Sequence, residues 1–299
     1  MSSASSRPFA IVAVLLAGAL AVVVWPVLVR GRAATAPQAA ADRDGGGADR
    51  LRVCADPNNL PFSNERREGF ENALADIVAR ELGRRVEYTW WPQRRGFIRT
   101  TLRAGVCDVV MGVPAEFELA DTTRPYYRST YVAVARRDRG LRITSMDDPR
   151  LRTVSIGIHL VGDDYASVPP GTALGARGIV QNVRGYSIYG DYSKPNPPAD
   201  LIAAVTRGDV DVAIAWGPLA GYVASVSDVP LTVDPIAAPD DVPFEFSIAM
   251  GVRRGDHELR QRLDEVLQRR RGEVEALLER YHVPRVAMAD GARTRPEVW

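Results

Sequence analysis

The chain has 299 residues, 38 lysine and arginine against 37 aspartate and glutamate, a net charge of +1 and 46% hydrophobic residues. These ordinary values exclude a disordered chain, a collagen, a polytopic membrane protein and a disulfide-dense mini-protein. The balanced charge gives no drive toward nucleic acid.

In chain order, the first feature is the uncharged run 8–29, preceded by Arg7 and followed by Arg30 and Arg32. It is longer than the h-region of about 7–15 residues in an export signal, and it reaches the length of about 20 that spans a bilayer. Residues 1–30 therefore read as a signal peptide or as an N-terminal anchor in or through the inner membrane. Either places the rest outside the cytoplasm. Residues 31–50, mostly Ala, Gly, Asp and Arg, have no core-forming pattern and read as a flexible tether.

The folded part starts near Leu51. Leu51–Ala55 reads as a short buried strand closed by the turn Asp56-Pro57-Asn58-Asn59. Phe70, Leu74, Ile77, Val78 and Leu82 recur at helical spacing up to Gly83. Arg85–Trp91 alternates as a strand, Phe97–Leu102 reads as a helix, and Asp108–Gly112 as an apolar strand. This β-α-β-α-β order implies a parallel sheet covered by helices. A second series follows: a strand at Arg152–Ile158, a helix start at Gly162-Asp163-Asp164, a strand at Gly178–Val183, a helix at Leu201–Arg207, a strand at Val210–Ala215 and a helix from Pro218. Phe244–Val252 reads as a last strand. One amphipathic helix from Asp256 follows, with Leu259, Leu263, Val266, Leu267, Val274, Leu277 and Leu278 on one face. The expected fold class is α/β, with two lobes and a cleft between the carboxyl ends of their sheets.

Several words go further. LRVCADPNNLPFSN, GFENALADIVA, AGVCDVVMGVP and AMGVRRGD resemble the amino-acid type of periplasmic solute-binding protein over about residues 50–285. CADPNNLPFSN, WWPQRRGF, TRPYYRSTYV, NVRGYSIYGDY and AIAWGPLAGY resemble, more narrowly, the solute-binding-like periplasmic proteins associated with PQQ-dependent methanol dehydrogenases. The resemblance implies a type II periplasmic-binding-protein fold. Lobe 1 would be 50–136 with 244–299, and lobe 2 would be 137–243. It also implies a periplasmic location and an accessory or activating role beside a quinoprotein methanol dehydrogenase, with its cytochrome c as a second candidate partner.

Amino-acid receptors of this type grip the ligand carboxylate with an arginine after the third strand and its ammonium with an aspartate in lobe 2. Here the first stretch reads Gly112-Val-Pro-Ala-Glu-Phe-Glu118, and the second position reads Trp216. A zwitterion would lose both anchors, so the cleft is not expected to bind free amino acids. Its expected lining is Asp56, Asn58, Phe62, Trp91, Arg94, Arg95, Val113, Arg124, Tyr127, His159 and Trp216, with Phe97, Tyr126 and Tyr189 nearby. Aromatics with arginine suit a partner protein. Arg94 and Arg95 leave a second reading open, an uptake receptor for a small multiply charged anion. No cofactor or metal of the chain's own is expected, and no catalysis: His159, His257 and His282 are scattered, and GxSxG, P-loop and HExxH motifs are absent. Cys54 and Cys107 fall on neighbouring strands. Export favours a disulfide, whereas an offset of about three residues, or about 10 Å, opposes it, leaving the bond open.

Overall fold

The computed structural model describes residues 49–161 and 166–288. The apolar run 8–29, most of the tether and the expected helix start at Asp163-Asp164 lie outside these residues. Among the described residues no helix is long and apolar enough to cross a membrane. The tether's last residues are already structured: Asp49 pairs with Arg85, and Arg50 opens the first strand.

The main strands are β1 (Arg50–Ala55), β2 (Arg85–Trp90), β3 (Val109–Pro114), β4 (Tyr127–Arg136), β5 (Ile156–Val161), β6 (Val183–Ser187), β7 (Val212–Trp216), β8 (Leu231–Pro235) and β9 (Glu245–Val252). The helices are α1 (Phe70–Glu81), α2 (Pro169–Ala176), α3 (Asp200–Arg207), α4 (Gly217–Ser225), α5 (His257–Arg269) and α6 (Arg271–Arg280). One sheet runs in the order β6-β5-β7-β4-β9-β3-β1-β2, with β8 paired to β4. The β2-β1-β3 ladder is parallel, as is β6-β5-β7, and β4 and β9 run antiparallel between the two.

The first lobe lies around β2-β1-β3-β9. Leu51 and Val53, with Val109 and Met111, pack against Phe70, Leu74 and Val78 of α1 and Leu263 and Leu277 of the last helices. Cys54 and Val110 face the other way, onto Phe97, Ile98 and Leu102. Both faces are covered, which is why these strands read as apolar runs. In the second lobe Ile156, Ile158, Val212 and Ile214 pack with Leu174 and Phe244. Val132, Val134 and Ala213 pack with Leu201, Ile202 and Val205. β4 joins the two lobes. Its residues Tyr127–Thr130 pair with β9, and Tyr131–Ala135 pair with β7.

Several expected elements shift. The strand expected at Arg152–Ile158 begins only at Ile156, because Pro149–Arg152 forms a 3₁₀ turn capped by the Asp148 side chain. The strand expected at Gly178–Val183 is displaced to Val183–Ser187. Gly178 takes φ +66, and Asn182 donates to the carbonyl of Leu151, so this apolar stretch is a loop pinned to the core. The helix expected from Phe97 to Leu102 is a single turn, Phe97–Thr100. The last helix breaks at Arg270, which pairs with Glu81 together with Arg269.

Cys54 and Cys107 form a disulfide, with Cα atoms 5.6 Å apart. The expected offset is present, since Cys54 lies opposite Val110. The bond forms despite this offset because Cys107 precedes β3 and lies outside its extended ladder with β1, so three residues of offset do not amount to three residues of extended strand.

Candidate functional site

Asp56 follows β1 at the carboxyl end of the first lobe's sheet and is only 3% exposed. Its Oδ1 accepts from the backbone N–H of Asn58 (2.8 Å), which sets the turn. Its Oδ2 accepts from the Gln93 N–H after β2 (2.6 Å) and from the Tyr192 hydroxyl after β6 (2.6 Å). One carboxylate thus ties two strand ends of the first lobe to the second. Asn58 adds to this bridge: its Oδ1 accepts from the Asn196 N–H (2.8 Å), and its amide donates to the carbonyl of Lys194 (2.7 Å). The Arg94 guanidinium stacks on Tyr192, 5.0 Å from the ring centre, with Tyr189 at 6.0 Å. Asp56, Asn58 and Arg94 therefore do come together, but on the chain's own residues 189–196. Nothing local in the sequence signals partners about 100 to 140 positions away.

The other expected lining residues divide. Trp216 ends β7 half-buried between Tyr131 (5.4 Å) and Phe246 (5.9 Å). Phe62 is half-buried against Phe70 at 5.5 Å. Trp91, at 48%, is among the most exposed large apolar side chains of the described residues, and Arg95 is exposed beside it. Three assignments are corrected. Tyr127 is core, its ring edge-on to Phe70, because the first residue of β4 points into the first lobe. Val113 is core on the opposite face, with Cys54 and Phe97. Arg124 is exposed on the α5 side: its backbone N–H donates to Asp264 (2.6 Å), so its chain segment follows that helix.

His159 lies on β5, 4% exposed, and its Nε2–H donates to the Pro198 carbonyl (3.0 Å). Burial lowers its pKa to about 4, while the hydrogen bond to Pro198 pulls weakly the other way. The ring is neutral at pH 7, with Nε2–H donating to the Pro198 carbonyl and the lone pair on Nδ1. The unfolded chain takes up the proton near pH 6.5 and the folded chain only near 4. Stability is therefore expected to fall as pH drops through this window, by about 1.4 kcal/mol per unit and about 3 kcal/mol in all. Urea unfolding from pH 7 to 4 checks this. His159→Gln, which keeps a donor but does not titrate there, should flatten the dependence.

Glu71, in the first turn of α1, was not anticipated. Its carboxyl lies beside Gly112 of β3, and a Cβ at Gly112 would collide with its Oε1. Protein encloses the side chain on most sides while solvent still reaches it. Burial, and secondarily the charge of Asp56, push its pKa up to about 8, so it is protonated at neutral pH. In the sequence it reads as a routine acidic residue at a helix start. Only the tertiary enclosure distinguishes it. Among the described residues no group of three or more His, Cys, Asp or Glu could hold a metal ion.

Comparison with known proteins places this geometry in context. The model for bacterial extracellular solute-binding proteins, family 3, matches residues 51–284. The chain is 33% identical to protein MoxJ of Methylorubrum extorquens over 285 residues, covering 89% of this chain and 91% of that protein. It is 37% identical to the crystal structure of the periplasmic binding protein XoxJ from Methylobacterium extorquens AM1, with a TM-score of 0.67, covering 80% of this chain and all of that one. An ancestral cationic amino acid solute binding protein shares the fold at 22% identity and a TM-score of 0.59, covering 78% of this chain and 96% of its own.

Proposed function

The chain belongs to the bacterial extracellular solute-binding proteins, family 3, and on that footing we propose that it is a non-catalytic periplasmic accessory protein of a quinoprotein methanol dehydrogenase rather than a nutrient receptor. The observation that carries this is the state of the cleft's polar groups. Asp56, Asn58 and Arg94, the side chains a small ligand would need, are engaged by residues 189–196 of the same chain. What the chain after β2 offers outward is Trp91, about half exposed, with Arg95 exposed in the same stretch. Large aromatic side chains and arginine anchor protein interfaces more often than they anchor small solutes. The identity to MoxJ and the sequence words shared with methanol-dehydrogenase-associated proteins support the choice of partner. We take residues 50–136 with 244–299 as one lobe and 137–243 as the other, with the rim between them as the docking region and the N-terminal segment as the link to export or to the inner membrane.

Retention of the purified cognate dehydrogenase on the immobilised protein is the test. Wild type should retain it, and Trp91→Ala should weaken retention about tenfold or more, as loss of an interface anchor does. No retention, together with tight calorimetric binding of a small anion such as citrate, would overturn the reading in favour of a solute receptor.

A further inference from the structure

The segment 188–198 between β6 and α3 has a construction that the docking role does not require. At its base it is fixed to the second lobe. The Ile188 N–H donates to Leu160 (3.0 Å), and Pro198 accepts from His159 (3.0 Å). Gly190, at φ +53, packs so closely on Pro197 that a side chain there would strike the proline ring. Pro195, Pro197 and Pro198 restrict the return path. The segment is thus a pre-shaped strap with both ends anchored on one lobe. Its middle is held by the other lobe through polar contacts: Tyr192 to Asp56, Asn196 and Lys194 to Asn58, and Tyr192 under Arg94. Residues 191 and 193–195 are exposed, with no apolar core sealing them down. These polar contacts can be exchanged for bonds to water once the lobes part, unlike the buried apolar packing where β4 and β9 connect the lobes.

We propose that residues 188–198 are an intramolecular latch that holds the two lobes closed through Asp56 and Asn58, so that the cleft opens only when the Tyr192–Asp56 and Asn196–Asn58 bonds break. Closure that a receptor of this fold obtains from a bound solute is supplied here by the chain itself. The latch holds whether or not a dehydrogenase is the partner, so its failure and that of the docking proposal are separable.

The test measures lobe separation in the full chain by double electron–electron resonance. Spin labels go on Arg99→Cys and Val180→Cys, two exposed positions on opposite lobes, since Cys54 and Cys107 are bonded to each other. The unmutated latch should give one narrow distance. Asn58→Ala with Tyr192→Phe should add a longer population and speed amide exchange at Ser193, Lys194 and Asn196 at least tenfold, with β3 amides unchanged. Arg94→Ala, which leaves the carboxylate and amide contacts in place, should give a smaller shift in the same direction and guards against misfolding of the double variant. A broad distance distribution before mutation, or an unchanged distance and unchanged exchange in both variants, overturns the proposal.

Discussion

Replacing Cys54 and Cys107 together by alanine is expected to lower the free energy of unfolding by about 4 kcal/mol. The bond closes a loop with a sequence separation of 53, and chain-entropy arguments assign a loop of that size roughly this much. Both cysteines are buried among Phe97, Ile98 and Leu102. Alanine leaves only a small void there, whereas serine would bury two hydroxyls and confuse the measurement. Urea unfolding of the double variant, with dithiothreitol-treated wild type beside it, checks the value. For a folded part of this size the loss corresponds to a fall in melting temperature of about 10 °C. If the variant and the reduced protein both unfold at the wild-type midpoint, the bond is not a stabilising element.

The second large effect is at Glu71, and it depends on pH. The folded-state pKa of about 8 lies above the ordinary 4.5. The favourable contribution of the protonated carboxyl is complete below pH 4.5 and is lost as pH rises through 8. The full shift would correspond to about 5 kcal/mol, and solvent contact reduces this to about 2–3 kcal/mol. Glu71→Gln keeps the shape of the protonated form and does not titrate. It should match wild type at pH 5 and exceed it by about 2–3 kcal/mol at pH 9, read from urea midpoints at the two pH values. Parallel profiles for the two proteins would contradict the enclosure of this side chain beside Gly112 and Asp56.

Much of the fold is legible without coordinates. The spacing of Phe70, Leu74, Ile77 and Val78 marks α1, and the apolar run at Val109 marks β3, because each depends on local periodicity. β4 is missed for a physical reason. Val132 and Val134 face one core while Tyr131 and Ala133 face another, so burial on both sides erases the alternation that announces a strand. The site is less legible. Asp56 and Asn58 can be picked out as residues after a strand end, but their partners Tyr192 and Asn196 belong to the other lobe. Val113 and Tyr127 serve the core because strand register, not residue type, decides which side of the sheet a residue faces, and Arg124 lies off the strands, beside Asp264 of α5. Glu71 shows the same limit: its chemistry comes from what encloses it, and the missing Cβ of Gly112 on β3 is part of that enclosure.

The position of β9 in the sheet has a consequence for how the protein is made. Val252 pairs with Val109, and Glu245 with Thr130, so the strand that completes the first lobe is synthesised only after the whole second lobe. A chain emerging amino end first exposes β1, β2 and β3 while the inner edge of β3, bearing Val109 and Val110, still lacks its neighbour. Bare apolar edges of that kind invite wrong pairing. The lobe that begins first can close only after the whole second lobe has appeared. The emergence of β9, rather than the early arrival of a finished domain, therefore sets when the first lobe can become whole, and a chain cut just before Glu245 would leave its beginning without a sheet neighbour that its middle does not need.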